Sequence, residues 1–247
     1  MNAPRIFLAE FVATFALCFV GVLAIAVAGD SLVTVALAHG FTILVMVAAM
    51  GAVSGAHINP AVTFGFVVTG RMNPVTGAIY VAAQLAGAVA AGGLLLVVLG
   101  GTDVVASAGK SAAEVIAAGT PQLTGVSVAT GIILEIVATY ILVFVIFGSA
   151  VDDRAPKSVF PIAIGLAVVV GILAIGPLTG AAMNPARHFG PALVSGQWDN
   201  VLVYWIGPLV GATLGAMTQH FFLMHQSPSA AVAEHGGPAP SEERVGR

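Results

Sequence analysis

The chain has 247 residues, of which 58% are hydrophobic and 8% charged, with a net charge of −3 and a mean hydropathy of +1.03. A soluble globule needs a far more highly charged surface, so the solvent is lipid, and the small net charge carries no nucleic-acid signal. Metal-ligand spacings, nucleophile elbows, phosphate loops and heptads are all missing from the sequence, which gives enzymatic function little support and calls for no metal or cofactor.

Apolar stretches long enough to cross a ~30 Å hydrocarbon core, at ~20 residues each, run over 6–28, 32–53, 76–100, 125–149, 159–176 and 200–224, which makes six spans. Arg5 before the first run, with small residues near Ala26 and Ala28, has the outline of a cleaved signal peptide. The length of the run argues for a retained helix. So does the recurrence of Glu10-Phe11-Val12-Ala13-Thr14-Phe15 at an internal position 125 residues later, as Glu135-Ile136-Val137-Ala138-Thr139-Tyr140. Cys18, the single cysteine, lies mid-span, reads as a small buried apolar residue and excludes an intramolecular disulfide.

The loops orient these spans. Arg5, Arg71, Arg154, Lys157, Arg244 and Arg247 fall on one side of a six-span chain and Lys110 on the other, so both termini are expected in the cytoplasm. Arg187 lies inside an apolar segment and needs a separate account. From about Gln226 the composition turns to Ser, Pro, Ala, Gly and charge, which predicts a disordered cytoplasmic tail over 226–247 after one channel domain over 1–225.

Two copies of one tripeptide, Asn59-Pro60-Ala61 and Asn184-Pro185-Ala186, lie 125 residues apart, in step with the Glu10 and Glu135 segments. The chain is therefore read as a duplication, with one repeat over about 5–100 and the other over about 124–225. Three spans per repeat is an odd number, so the second copy enters from the opposite face and the repeat is inverted, with a site near the midplane where the copies meet. Asn is a favoured N-cap and Pro suits the first helical position; Pro60 and Pro185 therefore start helices. The ~10 residues that follow each reach only ~15 Å at 1.5 Å per residue, so each segment dips in without crossing. Two such half-helices present their partially positive N-termini to one point. Irregular backbone at that depth is tolerated only beside a cavity or within protein, which predicts a pore in which Asn59 and Asn184 donate to a passing oxygen and the helix ends repel cations. The expected fold is an all-α membrane protein of six transmembrane helices and two re-entrant half-helices.

The chain resembles the aquaporin, or major intrinsic protein, family over about residues 5–225. The resemblance rests on the Glu10 segment, Ser54-Gly55-Ala56-His57-Ile58-Asn59-Pro60-Ala61-Val62, Glu135 and Asn184-Pro185-Ala186-Arg187. It implies one pore per protomer, a homotetramer, and passive conduction of water and small neutral solutes across the lipid bilayer; the membrane expected is the plasma (inner) membrane. It also implies that the Glu10 and Glu135 carboxylates accept hydrogen bonds from the re-entrant loops. A proton relay is the competing reading for these two acids, but Arg187 is the one base near them within the membrane, which argues against an ion-coupled secondary transporter. The ladder Gly207, Gly211, Gly215 in the last span, echoed by Ala83, Gly87, Ala91 in the third, fits close helix packing, within a protomer or between protomers.

By the same resemblance, selectivity is set by four side chains: His39, Ile172, Ala181 and Arg187. Water-specific members place Phe first and His second, and glycerol channels place Trp first and Gly second; this set is most similar to the plant tonoplast intrinsic proteins. So are Gly176-Pro177-Leu178-Thr179-Gly180 and His188-Phe189-Gly190-Pro191-Ala192-Leu193-Val194. The ring is expected to be somewhat wide, with an imidazole free to donate or accept. It should pass water and also ammonia, with hydrogen peroxide and urea as further candidates, while Arg187 adds a cation barrier. The alternatives are a glycerol-type facilitator, opposed by the aromatic pair Tyr204-Trp205, and a structural membrane protein with negligible flux. Some ammonia-permeable relatives carry an extracellular-loop His in the filter; residues 101–122 hold none, and Thr120 or Gln122 stands near that place. His57 lies at the cytoplasmic mouth as vestibule lining or a pH sensor, and His188 receives no role.

Overall fold

The computed structural model describes residues 3–28 and 31–224, and the regular structure among them is entirely helical. The tail expected over 226–247 lies outside the described residues. The helices are α1 (Ala3–Ala28), α2 (Leu32–Ser54), α3 (Pro60–Val68), α4 (Pro74–Gly100), α5 (Asp103–Ala108), α6 (Ala112–Gly119), α7 (Val128–Ile146), α8 (Phe160–Thr179), α9 (Pro185–Ser195) and α10 (Val203–Met217).

Five segments are long and apolar enough to cross a membrane: α1, α2, α4, α8, and α7 together with the π-helical turn Phe147–Val151. The sixth expected span is also present, but its helix changes pitch: α10 runs on into a π-helical turn over Thr218–Leu223. The two π turns meet where a Cβ on Gly148 would lie 2.7 Å from Nε2 of Gln219, so the missing side chain makes room for the glutamine. The stretch between the third and fourth spans, which carries no sequence expectation of helix, folds as α5 and α6. A capping box starts α6: Glu114 N donates to Ser111 Oγ while Ser111 N donates to Glu114 Oε2 at 2.6 Å.

Short polar residues also start α2, α4 and α7. Ser31, Asn73 and Ser127 accept from the amides of Thr34, Thr76 and Thr130 at 3.3, 2.9 and 3.2 Å, satisfying one amide of each first turn that has no partner within the helix. Gly55, Gly180 and Gly196 end α2, α8 and α9 in the left-handed conformation.

The helices pack α1 on α4, α7 on α10, and α2 on α8. At the α2–α8 crossing Gly40 and Gly165, themselves 125 residues apart, face one another: a Cβ on either would meet the other's carbonyl oxygen at 2.6 Å. This contact marks the pseudo-two-fold axis. A Cβ on Gly87 would strike the Phe11 carbonyl, and one on Gly211 the Ile136 carbonyl. Gly207 and Gly215 likewise abut Glu135 and Tyr140 of α7, so the small-residue ladder of the last span serves packing inside the protomer.

Arg5, Arg71, Arg154 and Lys157 share one end of the bundle. Arg71 Nε donates to His220 Nδ1 at 3.3 Å, and Arg154 Nη2 donates to the Leu223 carbonyl at 2.9 Å. Arg5 lies beside Met50 and Val53 at the end of α2.

Candidate functional site

The α2–α3 and α8–α9 loops meet at mid-depth, and a buried carboxylate shapes each. Glu10 and Glu135 are fully buried. Glu10 accepts from Ser54 Oγ (2.7 Å), His57 N (2.9 Å), Ile58 N (2.7 Å) and Gln84 Nε2 (2.8 Å). Glu135 accepts from Thr179 Oγ1 (2.7 Å), Ala182 N (2.9 Å) and Met183 N (2.7 Å). Each bond to a charged acceptor is worth about 1.5–3 kcal/mol. They hold four non-glycine residues in the left-handed region, Ala56 (φ 50), Ile58 (φ 59), Ala181 (φ 44) and Met183 (φ 48), at about 1–3 kcal/mol each. The bonds and the strain are of similar size, so the loops keep this shape only while the carboxylates are in place. With these amides turned to the carboxylates, the carbonyls of the same trans peptides point the opposite way. Those of Ala56, His57, Ala181 and Ala182 thus face the cavity these residues line.

Asn59 caps α3 by accepting from Ala61 N at 2.8 Å, and Asn184 caps α9 by accepting from Ala186 N at 3.0 Å and Arg187 N at 3.3 Å. Each carboxamide also reaches across the axis: Asn59 Nδ2 donates to the Met183 carbonyl (2.7 Å) and Asn184 Nδ2 to the Ile58 carbonyl (3.0 Å). The oxygen and one N–H of each amide are therefore fixed, and the second N–H remains for the cavity.

That cavity, about 60 Å³, runs from His39, Ile172, Ala181 and Arg187 past both asparagines and His57 to Ala150 and Phe160. At about 10–15 Å³ per water it has room for a short file of waters. Beyond Ile172 and Arg187 it gives way to an outer vestibule of about 610 Å³, lined by Thr120 and Gln122 among others. Their side chains are tied back, Thr120 Oγ1 to the Ile116 carbonyl and Gln122 Nε2 to the Ala117 carbonyl.

At the neck between them, Arg187 Nε donates to His39 Nε2 at 3.2 Å and Nη2 to the Gly119 carbonyl at 2.9 Å. Accepting at Nε2 leaves His39 its proton on Nδ1, which donates to the Val35 carbonyl at 2.8 Å. Both imidazole nitrogens are thus engaged. The sequence reading of a ring free to donate or accept is corrected, because the unpaired donor at this neck among the described residues is Nη1 of Arg187.

Sequence reasoning missed the second layer. Ser54 and Thr179 are spaced like the asparagines and could have been found that way. Tyr80 and Tyr204, which donate to the carbonyls of Ser54 and Thr179, are offset by 124 and escape that register. His57 Nδ1 lies 3.1 Å from Thr63 Oγ1, so the ring is held at its rear while it lines the cavity. His188 takes the place of Thr63 in the second half; it is fully buried, stacked on Tyr204 at 4.5 Å and 17°, with both nitrogens unpaired among the described residues.

The family model described as "Major intrinsic protein" matches residues 1–219. Among curated relatives, "Aquaporin TIP2-1" of Arabidopsis thaliana is 40% identical over 225 residues, covering 86% of this chain and 85% of that one. "Aquaporin TIP4-4" of Zea mays is 42% identical over 233 residues, covering 90% and 88%. The X-ray structure of the aquaglyceroporin from Plasmodium falciparum superposes with a TM-score of 0.78 at 23% identity, over 90% of this chain and 97% of that one, a likeness of fold.

Proposed function

The chain belongs to the major intrinsic protein family, whose members are membrane channels and not enzymes, and from that premise we propose a passive pore for water that also admits ammonia and excludes protons and ions. The observation that carries this reading is the file-wide cavity with Asn59 and Asn184 clamped at its middle and Arg187 at one neck. Each asparagine offers one N–H to a water oxygen, and the α3 and α9 N-termini, at roughly half a positive charge each, oppose a cation at the same point. Arg187 adds a full charge at the neck.

His39, Ile172, Ala181 and Arg187 form the proposed filter, which has no benzene or indole ring. Ammonia fits by size and meets Arg187 rather than the imidazole. The same absence of an aromatic corner disfavours glycerol. Hydrogen peroxide and urea fall within the proposal as small neutral solutes, urea being the wider. A homotetramer in the plasma membrane, with both termini cytoplasmic, completes it; the basic residues gathered at one end support the orientation, while native mass and membrane fractionation test assembly and location.

The deciding experiment is stopped-flow light scattering on proteoliposomes, with ammonia-driven internal alkalinisation as a second channel of the same measurement and empty liposomes as reference. Both signals rising with a low activation energy is the expected result. Water alone removes ammonia from the proposal, and neither signal favours a structural membrane protein.

A further inference from the structure

Two glycines stand behind the neck of the cavity. A Cβ on Gly21 of α1 would collide with the His39 ring, within 3.0 Å of Nε2, Cδ2 and Cε1. The ring cannot simply step aside. Its two nitrogens are bonded to Val35 and Arg187, and the residue is 4% exposed. The next residue of α1, Val22, meets the other support of Arg187: a Cβ on Gly119 would lie 2.9 Å from Val22 Cγ1, and the Gly119 carbonyl holds Nη2 of the guanidinium. Both partners of Arg187 therefore rest on adjacent residues of one helix that contributes no polar atom to the neck.

We propose that Gly21, with Val22 beside it, is the positioning residue of the filter: the missing side chain lets the His39 ring lie back against α1, which draws Arg187 to the wall and sets the aperture. This rests on the reading of His39 and Arg187 as the filter. The geometry follows from ordinary packing. Protein interiors accommodate a displaced group only where space is open, and for the His39 ring the open side is the cavity. A methyl at position 21 sends the imidazole inward, separates Nε2 from the guanidinium and narrows the file. Glycine here serves close approach of one group to another in a helix that needs no unusual φ.

The test compares water and urea flux in proteoliposomes for the unmodified chain, Gly21→Ala, Gly21→Ala with His39→Ser, His39→Ser alone, and Gly93→Ala, whose Cβ would meet nothing within 4 Å. The expected result is a severalfold loss of water flux in Gly21→Ala and a larger loss of urea flux. His39→Ser should restore both, because a small side chain tolerates the methyl, and Gly93→Ala should change neither. An unmodified chain that conducts, with a Gly21→Ala variant matching it in both fluxes, overturns the proposal and leaves the channel reading standing. An unmodified chain that conducts nothing removes the channel reading itself. If Gly21→Ala alone fails to fold, recovery of folded, conducting protein by adding His39→Ser supports the proposal. Failure of the pair to fold places Gly21 in helix packing and overturns it.

Discussion

Arg187 carries five N–H donors, and the protein engages two of its nitrogens, Nε with His39 and Nη2 with Gly119, leaving Nη1 for the cavity. In His39→Phe the guanidinium loses its Nε acceptor and a larger, purely apolar ring enters the neck. Ammonia flux should then fall more than water flux in parallel stopped-flow traces, and an equal loss of both would remove His39 from any selective role. Thiol chemistry tests the neighbouring position. Ala181 lines the cavity, whereas Cys18 is fully buried, with its sulfur against the Ala186 carbonyl at 3.9 Å. Mercurials should therefore leave the unmodified pore open and block Ala181→Cys. Inhibition of the unmodified chain that disappears with Cys18→Ser would show that a buried thiol is reachable.

Among the elements, the α2–α8 crossing is held by contact between two backbones. A larger residue at Gly165 would push its Cβ onto the Gly40 carbonyl at 2.6 Å and Leu44 Cβ at 2.8 Å, where neither neighbour can rotate away. Gly165→Leu should cost about 1–3 kcal/mol or more and lower the thermal midpoint in detergent, while Gly93→Leu should not. The loop between α7 and α8 is held differently. Arg154 bonds Asp152 through side chain and backbone and keeps its carboxyl near a pKa of about 2. A carboxylate depressed in the fold contributes stability that is present above its unfolded value and lost only as pH falls toward that low value. Water flux should therefore show no inflection attributable to Asp152 between about pH 5 and 8; an inflection there that vanishes in Asp152→Asn would contradict this. Helix starts such as Asn59-Pro60 were legible in the sequence because capping is local chemistry. The π turns at 147–151 and 218–223 were not, since Gln219 meets Gly148 only once two helices have packed.

For the whole molecule, the duplication explains both what the sequence revealed of the site and what it concealed. Glu10 and Glu135, Asn59 and Asn184, and Gly40 and Gly165 share one offset of 125, so the inverted frame and the midplane pair could be read from spacing alone. Gly21 against His39, and Gly119 against Val22, join segments whose proximity no spacing encodes. The same offset carries His39, Ile172, Ala181 and Arg187 onto Ile164, Val47, Ala56 and Val62, and all four of these line the same cavity, beyond the asparagines from the neck. The frame is thus two-fold while the side-chain chemistry is one-sided: a ring with an imidazole and a guanidinium faces the outer vestibule, and the side chains of its two-fold counterpart are all apolar. Discrimination among neutral solutes needs polar groups that a permeant must satisfy, so it should reside at the outer ring, with the inner ring acting as a smooth wall. Widening the inner ring with Val47→Ala and Val62→Ala should raise or preserve water flux without moving the ammonia-to-water ratio, whereas Ile172→Ala at the outer ring should raise that ratio. Equal movement of the ratio by both sets of changes would spread selection along the whole file and deny the asymmetry a functional meaning.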